Sequence, residues 1–182
     1  MAKHLEEHEL DSVSVYDGGL LKVWRDTVRL PDGSEAWREY IKHPGAVAVI
    51  ARNAGGNLVL VRQFRYPLRL ALLEVPAGKI DPGEAPLPCA QRELREETGY
   101  VARDWTYLGL IHTCVAYSSE RIELFLAENL EQVGASLDEG EFLDVVELPI
   151  RDALSAVWDG GITDSKTICA MMWVQRLFGA HC

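Results

Sequence analysis

The chain is poor in cysteine, and no two of its four (Cys89, Cys114, Cys169, Cys182) stand at the short spacing of a zinc or redox motif. Neither a zinc pattern nor a dense disulfide framework is expected, and the thiols read as incidental side chains in a reducing cytoplasm. Long apolar runs are missing too: none approaches the ~18 residues of a membrane span. The opening MAKHLEEHELDS is polar and acidic, so no secretory signal is expected there. Positive charge is scarce, with 18 Lys and Arg against 28 Asp and Glu and a net charge of −10. Such a chain gains nothing from the counterion release that drives binding to DNA or RNA. It also repels a polyanion unless a cation and local arginines reverse the field. A small, metal-chelated phosphate ester therefore suits it better than a nucleic acid. Internal repeats and low-complexity tracts are absent.

What is present is enough for a core. Apolar residues make up 48% of 182 positions, which suits one main domain with a small appended element. Residues 1–12 read as a mobile or edge segment. Strand candidates rich in β-branched and aromatic residues follow at 13–16, 20–29 and 36–41, with turns at Asp17-Gly18-Gly19 and Pro31-Asp32-Gly33. This gives a boundary after residue 42: a β unit over 1–42 and a larger domain over 43–182. In the latter, 46–51 and 58–62 read as buried strands around the turn at 53–57. Further strands are expected at 105–112, 120–130 and 145–148, and helices at about 88–98, 150–158 and 164–178. Strands mixed with three helices predict an α+β sandwich.

The densest information lies in GKIDPGEAPLPCAQRELREETGY, Gly78 to Tyr100. Asp81-Pro82-Gly83 is turn chemistry, and Pro86 and Pro88 fit only a loop or a first helical turn. Ala90 to Glu97 are good helix formers, and Gly99 fits the position that ends a helix. On that helix Glu93 and Glu97 are four apart and share a face, with Glu96 on the adjacent stripe. Carboxylates packed so closely repel one another, and a hard cation such as Mg²⁺ resolves the repulsion. Arg92 is placed to hold the cluster in one geometry. Glu84 either joins the metal network or caps the loop.

The spacing is G-x5-E-x7-R-E-U-x-E-E-x-G-U, U being bulky and apolar, and every position is filled. A chance match at one start point has odds of about one in 10⁹. The chain thus resembles the Nudix pyrophosphohydrolases. The resemblance implies a Nudix fold, an α/β/α sandwich with a mixed sheet between helices and an N-terminal antiparallel β unit. It also implies divalent-metal cleavage of a nucleoside diphosphate linked to another group. His43-Pro44-Gly45-Ala46-Val47, Val61 to Pro67, Leu73 to Gly78 and Gly161-Ile162-Thr163-Asp164-Ser165-Lys166-Thr167 are similar to the ADP-ribose pyrophosphatase branch.

That branch implies roles residue by residue. Glu93, Glu96, Glu97 and the carbonyl of Ala77 would ligate Mg²⁺, with Mn²⁺ as a possible substitute. Arg38, Arg65 and Glu74 would contact substrate, although each arginine also reads as a plain ion pair. In the acidic stretch Leu137 to Phe142, Glu139 matches a general base and Glu141 a position that can ligate metal. The sequence leaves open which of the two acts as base; Glu97 completes the catalytic set. Tyr16, Trp24 and Trp37 are candidates to stack on the nucleobase. The Ser-Pro-Gly often found after the box is replaced by Thr113 to Glu120, which loosens the substrate assignment; Tyr117 there could stack or pack. The expected products are AMP and a sugar phosphate. GDP-mannose, NADH and dinucleoside-polyphosphate hydrolysis are the rival activities, and a non-catalytic nucleotide-sugar sensor is the reading from another class. The resemblance further implies a homodimer joined through the N-terminal strands, with Arg38 serving the other subunit, while the acidic composition and the missing apolar runs predict a cytoplasmic protein with no nucleic-acid or membrane partner.

Overall fold

The computed structural model describes residues 3–137 and 140–179. Within them the chain parts into two compact units, one of residues 3–44 with 112–121, the other of 45–111 with the described residues from 122 on.

In the smaller unit three antiparallel strands lie in the order β1 (His8–Asp17), β2 (Lys22–Arg29), β3 (Glu35–Ile41). β1 pairs with β2 from His8↔Arg29 to Asp17↔Lys22, so residues 8–12 open an edge strand. Almost all of β1 is exposed on both faces. The segment from 112 folds against β3: the Ile41 amide donates to the Tyr117 carbonyl at 2.9 Å, and Ser119 returns a bond to Ile41 at 3.0 Å.

The larger unit is built on strand β4 (Ala46–Arg52), whose alternation feeds two cores at once. Ala46, Ala48 and Ile50 point to one side, while Val47, Val49 and Ala51 point to the other. A strand buried on both faces needs helices above and below it. Around it run β5 (Asn57–Arg65), β6 (Leu70–Glu74), β7 (Ala77–Lys79), β8 (Tyr100–His112), β9 (Arg121–Gln132) and β10 (Leu143–Pro149). The sheet order is β10-β5-β4-β9-β8, with β6 beside β5 and β7 beside β4; β4 and β9 are parallel and the β4–β5 pair is antiparallel. Helix α1 (Pro86–Thr98) covers one face through Cys89, Ala90 and Leu94. Helices α2 (Ile150–Trp158) and α3 (Ser165–Phe178) cover the other through Ala153, Ala170, Met171 and Val174. The mixed sheet between helices is the sandwich the sequence predicts. No helix among the described residues is long and apolar enough to cross a membrane.

Two strands escape the sequence pattern. β6 ends on a fully buried Glu74, and a charge at a core position hides the strand period. β7 has three residues, too few to show a period. Helix α1 begins at Pro86, two residues before the expected Pro88, because proline's fixed φ and missing N–H suit the first turn.

Candidate active site

Helix α1 places the box carboxylates against the β6–β7 segment. Glu97 is 5% exposed, and its Oε2 accepts the Ala77 amide at 3.0 Å. Burial pushes its carboxyl up to about 8; the charges of Glu93 and Glu141 add to the rise, and the Ala77 amide opposes it. Burial also raises Glu93, with Glu96 and Glu141 adding and Arg92 opposing. Gly78 closes the arrangement: a Cβ there would stand 1.9 Å from the Glu93 carboxyl carbon. The backbone and the carboxylate meet so closely that an added methyl would push the Glu93 side chain aside.

Arg92 ties the acidic groups together. Its Nε and Nη2 donate to the two oxygens of Glu84 at 3.0 and 2.9 Å. Its Nη1 donates to Glu93 at 2.8 Å and Glu96 at 3.0 Å. Glu84 also accepts the Asp81 amide at 3.2 Å, so it caps the loop and anchors the arginine together. The guanidinium beside it holds the Glu84 carboxyl down at about 2. A depressed carboxylate contributes stability that is present above the ordinary 4.5 and lost as pH falls through about 2. Glu84→Gln is therefore expected to melt about 2–4 °C below the wild type at neutral pH. The gap should narrow as pH falls below 4.5; a gap independent of pH in thermal scans would contradict this role.

The loop bearing the acidic stretch starts on the end of α1. Gly99, at φ 73°, accepts the amides of Val133 at 2.8 Å and Gly134 at 3.2 Å, and Ser136 donates to the Glu96 carbonyl at 3.2 Å. A Cβ on Gly99 would lie 2.5 Å from the Ala135 nitrogen. Glu141 is exposed, and its charge reaches both Glu93 and Glu97. Asp138 and Glu139 lie outside the described residues.

Arg65 and Glu74 are brought together, as a pair facing each other. Arg65 donates through Nε at 2.7 Å and Nη2 at 2.6 Å to a Glu74 that is 1% exposed. Burial disfavours the Glu74 charge, but Arg65 and Lys166 outweigh it and hold the carboxyl below its usual range. Arg38 sits on β3 of the smaller unit in a two-point ion pair with Glu7, its Nε at 2.8 Å. In the same unit Lys42 stacks 5.0 Å above Trp24 and Arg25 lies 5.5 Å from the Trp37 ring. Tyr16 is exposed, and Tyr117 donates to Cys114 Sγ at 3.3 Å.

Lys166, Thr167 and Asp164 carried no assigned role in the sequence. A lysine in the first turn of a helix opposes the helix dipole, and that misfit was the available signal. Among the described residues no three or more His, Cys, Asp or Glu side chains stand in an arrangement that could by itself hold a metal ion. The donors nearest at hand, Glu93, Glu96, Glu97 and Glu141, are all oxygen. They carry more negative charge than Arg92 offsets, which fits a hard divalent cation that keeps some waters.

The NUDIX domain family matches residues 42–170. The chain is similar to an ADP-ribose pyrophosphatase of Bacillus subtilis (strain 168), 39% identical over 175 residues and 95% of both chains. It is 40% identical to a methanol dehydrogenase activator of Bacillus methanolicus over 177 residues, 96% of each. A solved structure described as an ADP compounds hydrolase shares the fold with TM-score 0.86 at 24% identity, covering 97% of this chain and 96% of that one.

Proposed function

Because the chain belongs to the Nudix family, we propose that this hydrolase cleaves the diphosphate of ADP-ribose, or of a related ADP-sugar, to AMP and a sugar phosphate. The observation that carries the chemistry is the Glu93 and Glu97 pair closed against Gly78 and Ala77. The substrate class rests on the 39% identity to an ADP-ribose pyrophosphatase across nearly the whole chain.

Glu93, Glu96, Glu97 and the Ala77 carbonyl would hold Mg²⁺, or Mn²⁺ in its place. When bound, such a cation offsets diphosphate charge and makes a bound water more acidic. Burial keeps the proton on Glu97 up to about pH 8, so binding a cation there would release that proton. Arg92 stops Glu93 and Glu96 from splaying apart. Arg65 spends its Nε and Nη2 on Glu74, which sets the plane of a guanidinium that is 41% exposed. From there it would hold non-bridging phosphate oxygens. Glu141 or Glu139 would take the proton of the attacking water. Glu74 reaches substrate only through Arg65 in this reading, and Arg38 is assigned a phosphate contact in a dimer.

A homodimer through the N-terminal strands is part of the proposal. β1 keeps Leu10, Val13, Val15 and Tyr16 exposed in a strand with no buried face, which suits cover by a second copy.

The test is a substrate panel with Mg²⁺ or Mn²⁺. ADP-ribose is expected to exceed GDP-mannose, NADH and dinucleoside polyphosphates in kcat/KM by about tenfold or more. Equal or slower turnover of ADP-ribose would overturn the substrate assignment, and binding without cleavage of any of them would favour a sensor.

A further inference from the structure

The β6–β7 segment changes partners at its midpoint. Up to Glu74 it pairs with β5 (Glu74↔Val61), and from Ala77 it pairs with β4 (Ala77↔Ala48). Val75 and Pro76 lie between the two ladders. The Pro76 carbonyl is taken by the Val49 amide at 2.9 Å. The Val75 amide, in a residue 1% exposed, donates to the side chain of Thr167 at 3.0 Å. The sheet gives no bond there, and helix α3 supplies it.

Thr167 is itself fully buried, and its hydroxyl donates to Asp164 Oδ2 at 2.6 Å, so its lone pair is aimed at Val75. Asp164 also caps α3 through the Thr167 amide at 2.9 Å and takes Lys166 Nζ at 3.0 Å. Lys166 in turn pairs with Glu74. The first turn of α3 therefore grips two successive residues, the side chain of Glu74 and the backbone of Val75. Two positions on, the Ala77 amide holds Glu97; one further, Gly78 abuts the Glu93 carboxylate.

We propose that Thr167, oriented by Asp164, is a positioning residue for the metal-binding face: it fixes the strand switch at Val75 and so the placement of Ala77 and Gly78 against Glu97 and Glu93. A buried amide left without an acceptor finds another geometry, and the carboxylate seats two residues away move with it. This inference rests on the reading of Glu93 and Glu97 as cation ligands.

Thr167→Val keeps the shape and deletes the hydroxyl. In the intact protein it is expected to weaken Mn²⁺ binding, read by calorimetry, by about tenfold. It should lower kcat by about tenfold or more while KM changes less than about threefold. Thr167→Ser should restore both. A variant with lower thermal stability but unchanged Mn²⁺ affinity and kcat would make Thr167 a packing residue and overturn the inference. Absence of Mn²⁺ binding in the wild type would instead overturn the reading beneath it. Should the valine variant not fold, amide resonances of the wild type carry the test. Val75, Ala77 and Thr167 should shift with one half-saturation point during a Mg²⁺ titration, and a silent Thr167 beside a moving Ala77 would sink the inference.

Discussion

Glu97→Gln is expected to abolish turnover, with kcat falling by about three orders of magnitude, roughly 4 kcal/mol of transition-state stabilisation. The amide is nearly the same size, and its oxygen can still accept the Ala77 amide that Glu97 accepts at 3.0 Å. The fold and the binding of nucleotide should therefore persist. What disappears is the negative charge that this buried carboxyl, beside Glu93 and within reach of Glu141, would take up on binding a cation. A hard cation is held by charged oxygens, and a neutral amide is a weak substitute. Steady-state kinetics over a range of Mg²⁺, with nucleotide binding by calorimetry, separates the two effects. Turnover equal to the wild type would remove Glu97 from the site.

The same variant has a stability signature of opposite sign to that of Glu84. Glu97 has a folded value raised above the ordinary 4.5, to about 8, so the folded state binds the proton more tightly. The stability this gives is fully present below 4.5 and is lost as pH rises through about 8. Glutamine has no charge to bury. In EDTA, Glu97→Gln should match the wild type below about pH 4.5 and gain on it as pH rises, the full difference being reached above about pH 8. Saturating Mn²⁺ should reverse the order, because the wild type alone would keep the full proposed ligand set. A variant less stable than the wild type at every pH without metal would mean that the carboxylate serves structure first.

How much of this was legible beforehand follows from the range of the interactions. The α1 face was readable because helical spacing alone sets Glu93 four residues from Glu97, and Arg92 falls beside them. The two-sided burial of β4 was visible in AVAVIA, where no polar residue interrupts the run. By contrast, the second partner of Glu74 lies 92 residues away at Lys166, and the acceptor for the Val75 amide is equally distant. Nothing local encodes such a pairing; it appears only once α3 is laid against the sheet. Glu74 shows the consequence. The resemblance assigns it to substrate, and in the structure its oxygens pair with Arg65 and Lys166. The charge that hid strand β6 is the one that joins the strand to α3.

Gly78→Ala is expected to cost about a hundredfold in kcat while the protein stays folded. The added methyl carbon would lie 1.9 Å from Cδ and Oε1 of Glu93 and 2.3 Å from Oε2. Contacts that short cannot persist, so something must move. The cheapest movement is at the far end of a flexible side chain, and the backbone of β7 can remain paired with β4. The left-handed backbone that glycine tolerates is not at issue, since Gly78 does not adopt it. The cost therefore falls on geometry. A displaced Glu93 leaves its bond to Arg92 and its alignment with Glu97, and a shift of about 1 Å in a catalytic group suffices for losses of this size. The melting temperature should fall by less than about 4 °C. Shortening the displaced side chain supplies the complementary test. Glu93→Asp makes room for the methyl, so Gly78→Ala with Glu93→Asp should be less impaired than the two single losses combined. Strict additivity would show that the alanine acts elsewhere than on Glu93, and full activity of Gly78→Ala would show that the tight seat behind that carboxylate has no part in turnover.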